Sequence, residues 1–250
     1  MVETLKELNG HSGSKIFLKK YDSGLLYVEK QGNVERNLER LFLLNYLNYP
    51  VPKIYNHGSD KFEMEYIHGL DMKNYLVHNS IKKLAEFIIK TLDSFSKNSG
   101  EKNYSEVYLE KLKRFDSHEF SFTKKDFFEK LPIYVPESTY HGDLTLENII
   151  YCKDEFYMID PVTTPYDSYI FDIAKMRQDI HCKWFLRNEK LNLDVKLKNL
   201  EKIILEKYPE SKNDALLILM LLRVLDHCEK NDKNYVFLKN NIELIWKNIK

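Results

Sequence analysis

The hydrophobic pattern of this sequence changes its period near Gly69, and this change is the feature that most constrains the fold. Before it, apolar residues form short runs bounded by glycines, as in residues 15–18, which is typical of β-strands. After it, apolar residues recur every three or four positions, as in residues 81–95, which is typical of amphipathic helices. The sequence therefore predicts an α+β fold with two lobes, a small antiparallel sheet in residues 1–67 and a larger, mainly helical lobe in residues 68–250.

Turn residues place further elements in the first part. The Asp22-Ser-Gly24 turn predicts a hairpin that joins the first strand to residues 25–28. Residues 33–47 carry apolar side chains at helical spacing and stop before two prolines. Residues 62–67 alternate as one more strand, and we place the lobe boundary after them.

Two short non-helical segments interrupt the helical part, at residues 138–143 and 156–160. Apolar residues 149–151 and a polar turn separate them, so this region is predicted to contain strand, turn and strand. The remaining predicted helices are residues 195–208, 214–228 and 235–249.

The composition excludes several classes of protein. The 250 residues contain 38 Lys and Arg against 38 Asp and Glu, so no net charge draws the chain to a nucleic acid. Its three widely spaced cysteines fit free thiols in a reducing compartment. The most apolar run, residues 216–222, is far shorter than the roughly 20 residues that cross a bilayer, and the N-terminus lacks signal-peptide order. We therefore expect a cytoplasmic protein without nucleic-acid or membrane partners; its oligomeric state stays open.

Three polar side chains have the order and spacing that phosphoryl transfer requires. Asp143 and Asn148 stand five positions apart, as do the catalytic aspartate and metal-binding asparagine of kinase catalytic loops. Asp160 follows the next predicted strand and offers a second hard oxygen ligand for magnesium. We expect Asp143 to orient the acceptor hydroxyl and accept its proton. His141 is expected to be structural, because imidazole is a poor ligand for magnesium.

Each of these residues has a simpler interpretation when it is taken alone. Aspartates and asparagines in turns are most often helix caps or Asx turns. The ordered set of His141-Gly-Asp143, Asn148 and Ile159-Asp160 is far more specific than any one member. We therefore interpret the set as a catalytic centre.

The segment Tyr140-His-Gly-Asp-Leu-Thr-Leu-Glu-Asn148, with Ile159-Asp-Pro161 after it, resembles the catalytic motif of the aminoglycoside phosphotransferase and choline kinase superfamily. The resemblance extends over most of the chain and is weakest in the N-terminal lobe. It implies a protein-kinase-like fold, ATP and Mg²⁺ as cofactors, and a small-molecule acceptor such as a sugar, an amino alcohol or an aminoglycoside. The sequence of this motif, continued to Asp172-Ile-Ala-Lys175, is also similar to that of kinase-like proteins of bacterial capsule and surface-sugar pathways.

The resemblance also implies two backbone contacts with the nucleotide. A loop over the phosphates is expected at Gly10, Ser12 and Gly13, although it lacks the complete Gly-x-Gly-x-x-Gly pattern and resembles a plain hairpin turn. A hinge strand whose backbone pairs with the adenine edge is expected from Glu65 to Ile67.

Three charged side chains complete the implied site. Lys30 is expected to neutralise the α- and β-phosphates, fixed by a glutamate of the following helix, with Glu39 as the first choice and Glu35 as the alternative. Both residue types are otherwise ordinary surface charges. Asp172 matches the aspartate that braces the catalytic loop of the family, and a helix N-cap is the competing interpretation.

The residues after Asp160 favour a small acceptor over a protein. The metal motif is Asp160-Pro161 where many kinases have Asp-Phe-Gly, and proline fixes φ and removes an N–H group, which makes a mobile activation segment less favourable. Few residues separate Asp160 from Asp172, which leaves no room for a long activation loop. Four aromatic residues of the second lobe could stack on a sugar or cage an ammonium group, although core packing is their commoner role. They are Tyr140, Tyr166, Tyr169 and Trp184.

Two other functions stay open. A compact atypical protein kinase also has a His-Gly-Asp-Leu loop, but Asp160-Pro161 argues against it. A catalytically silent, nucleotide-binding pseudokinase has no need of Asp143, which makes it the less economical hypothesis.

Overall fold

The computed structural model of the protein describes residues 3–8, 14–97, 100–230 and 232–249. Its strands are β1 (Glu3–Leu8), β2 (Lys15–Lys20), β3 (Leu26–Gln31), β4 (Ile54–His57), β5 (Lys61–Glu65), β6 (Leu70–Asp71), β7 (Glu101–Asn103), β8 (Tyr134–Pro136), β9 (Ile149–Cys152) and β10 (Glu155–Met158). Its α-helices are α1 (Glu35–Tyr46), α2 (Met72–His78), α3 (Lys82–Phe95), α4 (Ser105–Lys111), α5 (Lys124–Phe128), α6 (Tyr169–Ile180), α7 (Asp194–Lys207), α8 (Asp214–Leu225) and α9 (Lys233–Ile249). Short 3-10 helices cover Leu112–His118, Leu146–Asn148, Trp184–Leu186 and Pro209–Ser211.

The chain divides into two compact units, each built from two separate segments. The first contains Met1–Tyr75 and Glu147–Thr164, and the second contains Leu76–Leu146 and Pro165–Lys250. The boundary after Ile67 that the sequence predicts differs from this division, because it treats each lobe as one continuous stretch of chain. Glu147–Thr164 joins the first unit because β9 pairs with β6, a contact between strands that are distant in sequence.

The first unit contains an antiparallel sheet with the strand order β1-β2-β3-β5-β4. The predicted hairpin joins β2 to β3, and the Gly24 N–H donates to the carbonyl of Tyr21 at 2.9 Å in its turn. Tyr27 and Val28 of β3 are buried, as is Phe62 of β5. The small antiparallel sheet of the predicted α+β fold is therefore confirmed.

A second, smaller sheet of the first unit has the order β10-β9-β6. Gly69, immediately before β6, packs directly on β9, because a Cβ atom built at this glycine would lie 2.2 Å from the carbonyl oxygen of Tyr151. No side chain fits in that space, so the pairing of β6 with β9 requires glycine at this position.

The second unit is mostly helical, as predicted. The apolar run at residues 216–222 lies in α8, whose residues from Ala215 to Leu222 are all buried. A helix that is apolar on every side must be surrounded by protein. No helix in the residues that the structure describes is long and apolar enough to cross a membrane. The three-residue strands β7 and β8 were not predicted, because neither is long enough to show an alternating pattern.

Helix α6 is also buried along its whole length, although it carries several charged residues. Ionised groups in a protein interior need partners, since losing hydration costs free energy. Arg177, for example, donates to Glu201 at 3.0 Å and to Asp214 at 2.6 Å. The other charged residues of α6 have partners in the loop that contains Asp143.

Candidate active site

Asn148 and Asp160, the predicted metal ligands, lie at the open end of the β9–β10 hairpin in the first unit. Ile149 pairs with Met158 at the end of the ladder, and the Ile159 N–H donates to the carbonyl of Asn148 at 2.9 Å. Asn148 therefore directly precedes the hairpin and Asp160 directly follows its last backbone hydrogen bond. Antiparallel pairing thus brings the two residues to the same end of the hairpin.

Asp160 is held by two residues of the first unit. The ammonium group of Lys30, which is fully buried on β3, forms an ion pair with Asp160 Oδ1. Asn37 Nδ2 donates to the same oxygen at 3.1 Å and to the carbonyl of Pro161 at 2.8 Å. Asp160 has φ of +57°, a left-handed conformation that is uncommon outside glycine. Asn37 was not predicted as a site residue; its one sequence signal is a polar side chain on the buried face of α1.

Glu39 and Glu35, the predicted partners of Lys30, are both exposed on α1. A helix turns by about 100° per residue, so Glu39 projects roughly 200° around the helix from Asn37, the residue that contacts Asp160. Lys30 is therefore paired with Asp160 in this structure, and the predicted ion pair between Lys30 and Glu39 is not formed.

The remaining predicted nucleotide contacts concern the backbone. Glu65 is the last residue of β5, and its N–H already donates to a neighbouring carbonyl at 2.8 Å, so this N–H is not available to a ligand. Ile67 lies just beyond the strand with a buried side chain. Gly10, Ser12 and Gly13 lie outside the described residues.

In the second unit, Asp143 Oδ1 lies 3.2 Å from the ammonium nitrogen of Lys175, a buried residue of α6. Lys175 also donates to Gln178 at 3.3 Å. Burial raises the pKa of Asp143, but interactions with Lys175, Arg223 and His141 outweigh burial and lower this pKa below its ordinary value. Asp143 is therefore ionised at neutral pH, which a proton acceptor must be.

The backbone beside Asp143 is bonded to the carboxylate of Asp172. The His141 N–H donates to Asp172 Oδ2 at 2.5 Å, and the Gly142 N–H donates to Oδ1 at 2.8 Å. The Asp143 N–H points back to His141 Nδ1 at 3.3 Å. Burial raises the pKa of Asp172 to about 7, against the opposing effect of hydrogen bonds from the N–H groups of His141, Gly142 and Leu144.

Asp172 is not the N-cap of α6. Ser168 occupies that position, and its hydroxyl accepts from the Ile170 N–H at 3.3 Å. The side chain of Asp172 instead leaves the helix to reach the catalytic loop, so the competing N-cap interpretation is wrong.

A second aspartate of α6, Asp179, supports the other end of the same loop. Its Oδ2 accepts from the Leu146 N–H at 2.8 Å, and its side chain is fully buried. Asp172, Lys175 and Asp179 are spaced by three and four positions, so they share one face of α6. Asp179 and Lys175 were not predicted as site residues; their signal was this spacing of charges among the apolar residues of the helix.

No protein-family model and no curated protein sequence matches this chain significantly. Solved structures do match it over nearly its whole length. A candidate fructosamine-3-kinase of Thermobifida fusca is 14% identical with a TM-score of 0.63, and the match covers 98% of this chain and 94% of that one. The choline kinase LicA of Streptococcus pneumoniae is 16% identical with a TM-score of 0.57, covering 98% and 94%.

The aminoglycoside phosphotransferase APH(2″)-IIia, solved with GDP and kanamycin, is 11% identical with a TM-score of 0.59, covering 99% of this chain and 93% of that one. At such low identity these likenesses establish the fold. The chain therefore shares the fold of these kinases, which confirms the kinase-like fold that its catalytic motif predicted.

Proposed function

We propose that this chain, which has the fold of small-molecule kinases, transfers the γ-phosphoryl group of ATP to a hydroxyl group of a small molecule. The observation that carries the proposal is the environment of Asp143. Its carboxylate is ionised beside Lys175, and the backbone beside it is bonded to Asp172. A fixed, ionised carboxylate has the properties of a base that orients and deprotonates a hydroxyl group.

The proposed reaction forms and breaks one bond at phosphorus. The acceptor oxygen forms a bond to Pγ while the bond from Pγ to the bridging oxygen breaks, and ADP leaves with that electron pair. The hydroxyl proton passes to a carboxylate oxygen of Asp143. A positioned base of this kind contributes on the order of 10² to 10⁴ in rate.

Residues of the first unit are proposed to bind the nucleotide. Lys30 is the cation for the α- and β-phosphates, and Glu39 or Glu35 is proposed to fix it when nucleotide is bound. The backbone from Glu65 to Ile67 is proposed to bind the adenine edge. The loop with Gly10, Ser12 and Gly13 is proposed to cover the phosphates.

Asn148 and Asp160 are the proposed magnesium ligands, and their chemistry fits this ion. Among the described residues, no group of three or more His, Cys, Asp or Glu side chains converges, so a site formed by protein ligands alone is not found there. Magnesium typically takes one or two protein oxygens and completes its octahedron with water and phosphate oxygens. Both Lys30 and Asn37 contact Oδ1 of Asp160, so neither uses the other carboxylate oxygen. Bound magnesium neutralises charge on the phosphate oxygens.

The acceptor is proposed to be a sugar, an amino alcohol or an aminoglycoside-like compound. The matched structures support this range, since they are named for fructosamine, choline and kanamycin. The short connection between Asp160 and α6, which begins at Tyr169, supports a small molecule over a protein. A role in bacterial capsule or surface-sugar pathways remains a prediction from the motif alone.

The decisive experiment is a screen for ADP release with sugars, amino alcohols, aminoglycosides and a generic protein substrate. Asp143→Asn removes the base, and Asp116→Asn, an exposed aspartate of the same unit, is the matched control. We expect turnover with one small acceptor in the native protein and the control, and its loss in Asp143→Asn with ATP binding retained. Turnover of the protein substrate alone identifies a protein kinase, and magnesium-dependent ATP binding without turnover identifies a pseudokinase. Full activity in Asp143→Asn contradicts the mechanism.

A further inference from the structure

Arg223 is an arginine of α8 that forms no ion pair with a carboxylate within the described residues. Its side chain is half-buried, and its guanidinium carbon lies 4.7 Å from the centroid of the Tyr166 ring. Its polar contact is with the sulfur of Met220, from Nη1 at 3.3 Å, and sulfur is a weak acceptor. Within the part of the chain that the structure describes, no Asp or Glu forms an ion pair with Arg223.

The carboxylate next to Arg223 in sequence is already engaged elsewhere. Asp226, three residues further along, forms an ion pair with Lys111 through Oδ2. Its Oδ1 lies 2.7 Å from His118 Nε2. Both oxygens therefore have partners, and the guanidinium of Arg223 retains donors for an anionic ligand. A partly buried guanidinium is well suited to a carboxylate or phosphate group, since it can donate two parallel hydrogen bonds.

Arg223 acts on the same carboxylate as Lys175 does. Lys175 and Arg223 both lower the pKa of Asp143, so the positive charge of Arg223 acts on the proposed base. Two cationic side chains, Lys175 and Arg223, therefore act on this base. A cationic acceptor whose hydroxyl group approaches Asp143 meets these two cations, whereas an anionic acceptor is attracted by them.

Two of the four aromatic residues that could cage an ammonium group already contact a protein cation. Arg223 covers the Tyr166 ring, and the Arg187 guanidinium lies 4.0 Å from the centroid of Trp184. The hydroxyl of Tyr169 donates to Glu210 at 2.9 Å. Two of the four rings thus already carry a protein cation, which argues against a quaternary ammonium ligand at these positions.

From these contacts, and resting on the proposed function, we infer that the acceptor carries an anionic oxygen group, a carboxylate or a phosphate, that binds Arg223. Tyr166 supports the guanidinium through its ring, and Asp143 receives the reacting hydroxyl. Arg223 is in this scheme a specificity-determining residue. The class of acceptor is then an acidic or phosphorylated sugar or polyol.

The test compares acceptors that share one ring and differ in charge: galacturonate, galactose and galactosamine, with glucose 6-phosphate against glucose as a second pair. We expect the anionic member of a pair to have the higher kcat/KM in the native protein. Arg223→Gln should raise KM for that acceptor roughly 10-fold to 100-fold, as expected for a lost hydrogen bond to a charged group, and change kcat less. Galacturonate and glucose 6-phosphate distinguish the carboxylate from the phosphate.

Arg114→Gln, which removes an exposed arginine of the same unit, is the matched control and should leave these constants unchanged. Arg223→Lys keeps the positive charge but lacks the planar guanidinium that donates two parallel hydrogen bonds. This variant should therefore show a preference for the anionic acceptor between that of the native protein and that of Arg223→Gln. Preferred use of galactosamine, or an equal effect of Arg223→Gln on all three sugars, overturns the inference while leaving the kinase function intact.

A binding measurement separates this inference from the proposed function. Phenylglyoxal modification of Arg223, followed by mass spectrometry in the Asp143→Asn variant, does not depend on turnover, and the Arg114 peptide serves as internal reference. Slower modification with galacturonate or glucose 6-phosphate, and not with galactose, supports the anion site even where no acceptor is phosphorylated. Equal modification rates with all of these compounds contradict it.

Discussion

The carboxylate of Asp143 and the buried ammonium group of Lys175 lie 3.2 Å apart within the second unit. Helix α6 carries Lys175 between Asp172 and Asp179, and these two aspartates accept N–H groups from the ends of the loop that contains Asp143. One face of one helix therefore fixes both the position of this carboxylate and its charge.

Replacement of Lys175 by Met is expected to raise the pKa of Asp143. The lysine is the largest of the interactions that lower this pKa, and burial, which raises it, remains in the variant. A base with a higher pKa is protonated at a higher pH, so the acidic limb of the kcat/KM profile should move to higher pH. The measurement is a pH series of kcat/KM with a screened acceptor. Lys175→Arg keeps the charge and should retain most of the native profile; an unmoved limb in Lys175→Met contradicts the role of this lysine.

Replacement of Asp160 by Asn is expected to destabilise the protein and weaken magnesium-dependent ATP binding. It leaves the buried Lys30 cation without its anionic partner. Such a loss costs several kcal/mol for a fully buried pair, and we expect about 1–2 kcal/mol here because Asp160 is partly exposed. Urea unfolding and calorimetric titration of ATP with and without Mg²⁺ measure the two effects.

Glu39→Gln is the matched control for that variant, since Glu39 is exposed on α1. Its free energy of unfolding should stay within about 0.5 kcal/mol of the native value. A loss of stability as large as that of Asp160→Asn indicates that Glu39, rather than Asp160, is the partner of Lys30 in the free protein.

Asp172 is expected to make stability depend on pH. Burial raises its pKa in the folded state to about 7, above the ordinary value of 3.8, so the folded protein binds a proton that the unfolded chain releases. This contribution is fully present below about pH 4 and is lost as pH rises towards 7, with a slope of up to about 1.4 kcal/mol per pH unit. The free energy of unfolding of the native protein minus that of Asp172→Asn, measured in urea from pH 4 to 8, should therefore fall over this window. A constant difference contradicts the raised pKa.

Replacement of Gly69 by Ala is expected to disrupt the junction of β6 and β9. The added methyl group would lie 2.2 Å from the backbone oxygen of Tyr151, so the strands must separate. Overpacking of this kind costs about 1–3 kcal/mol. Gly58→Ala is the control, because its Cβ meets its nearest atom at 3.9 Å. If Gly69→Ala and Gly58→Ala unfold at the same urea concentration, the close approach of Gly69 to the backbone of Tyr151 is excluded.

Local patterns were sufficient to predict most of the elements and the main site residues. Strands β2, β3 and β5 and helices α1, α3 and α8 follow from periodicity, glycines and prolines, because these depend on neighbouring residues only. The placement of Asn148 and Asp160 at one hairpin end follows from the short turn that joins β9 to β10. Catalytic roles for these residues and for Asp143 stay predictions until the variants are measured.

The sequence by itself predicted the order of the main strands and helices, the chemistry of the motif and the kinase-like fold. Only the tertiary structure decided which partners these residues have. Lys30 pairs with Asp160 rather than Glu39, Asp143 pairs with Lys175, and Arg223 forms no ion pair with any residue that the structure describes. The physical reason is that these contacts join residues far apart in the chain, and their choice depends on which charges become buried together. Hydrophobic periodicity describes one helix or strand at a time, whereas the free-energy cost of burying a charge depends on every element that packs around it.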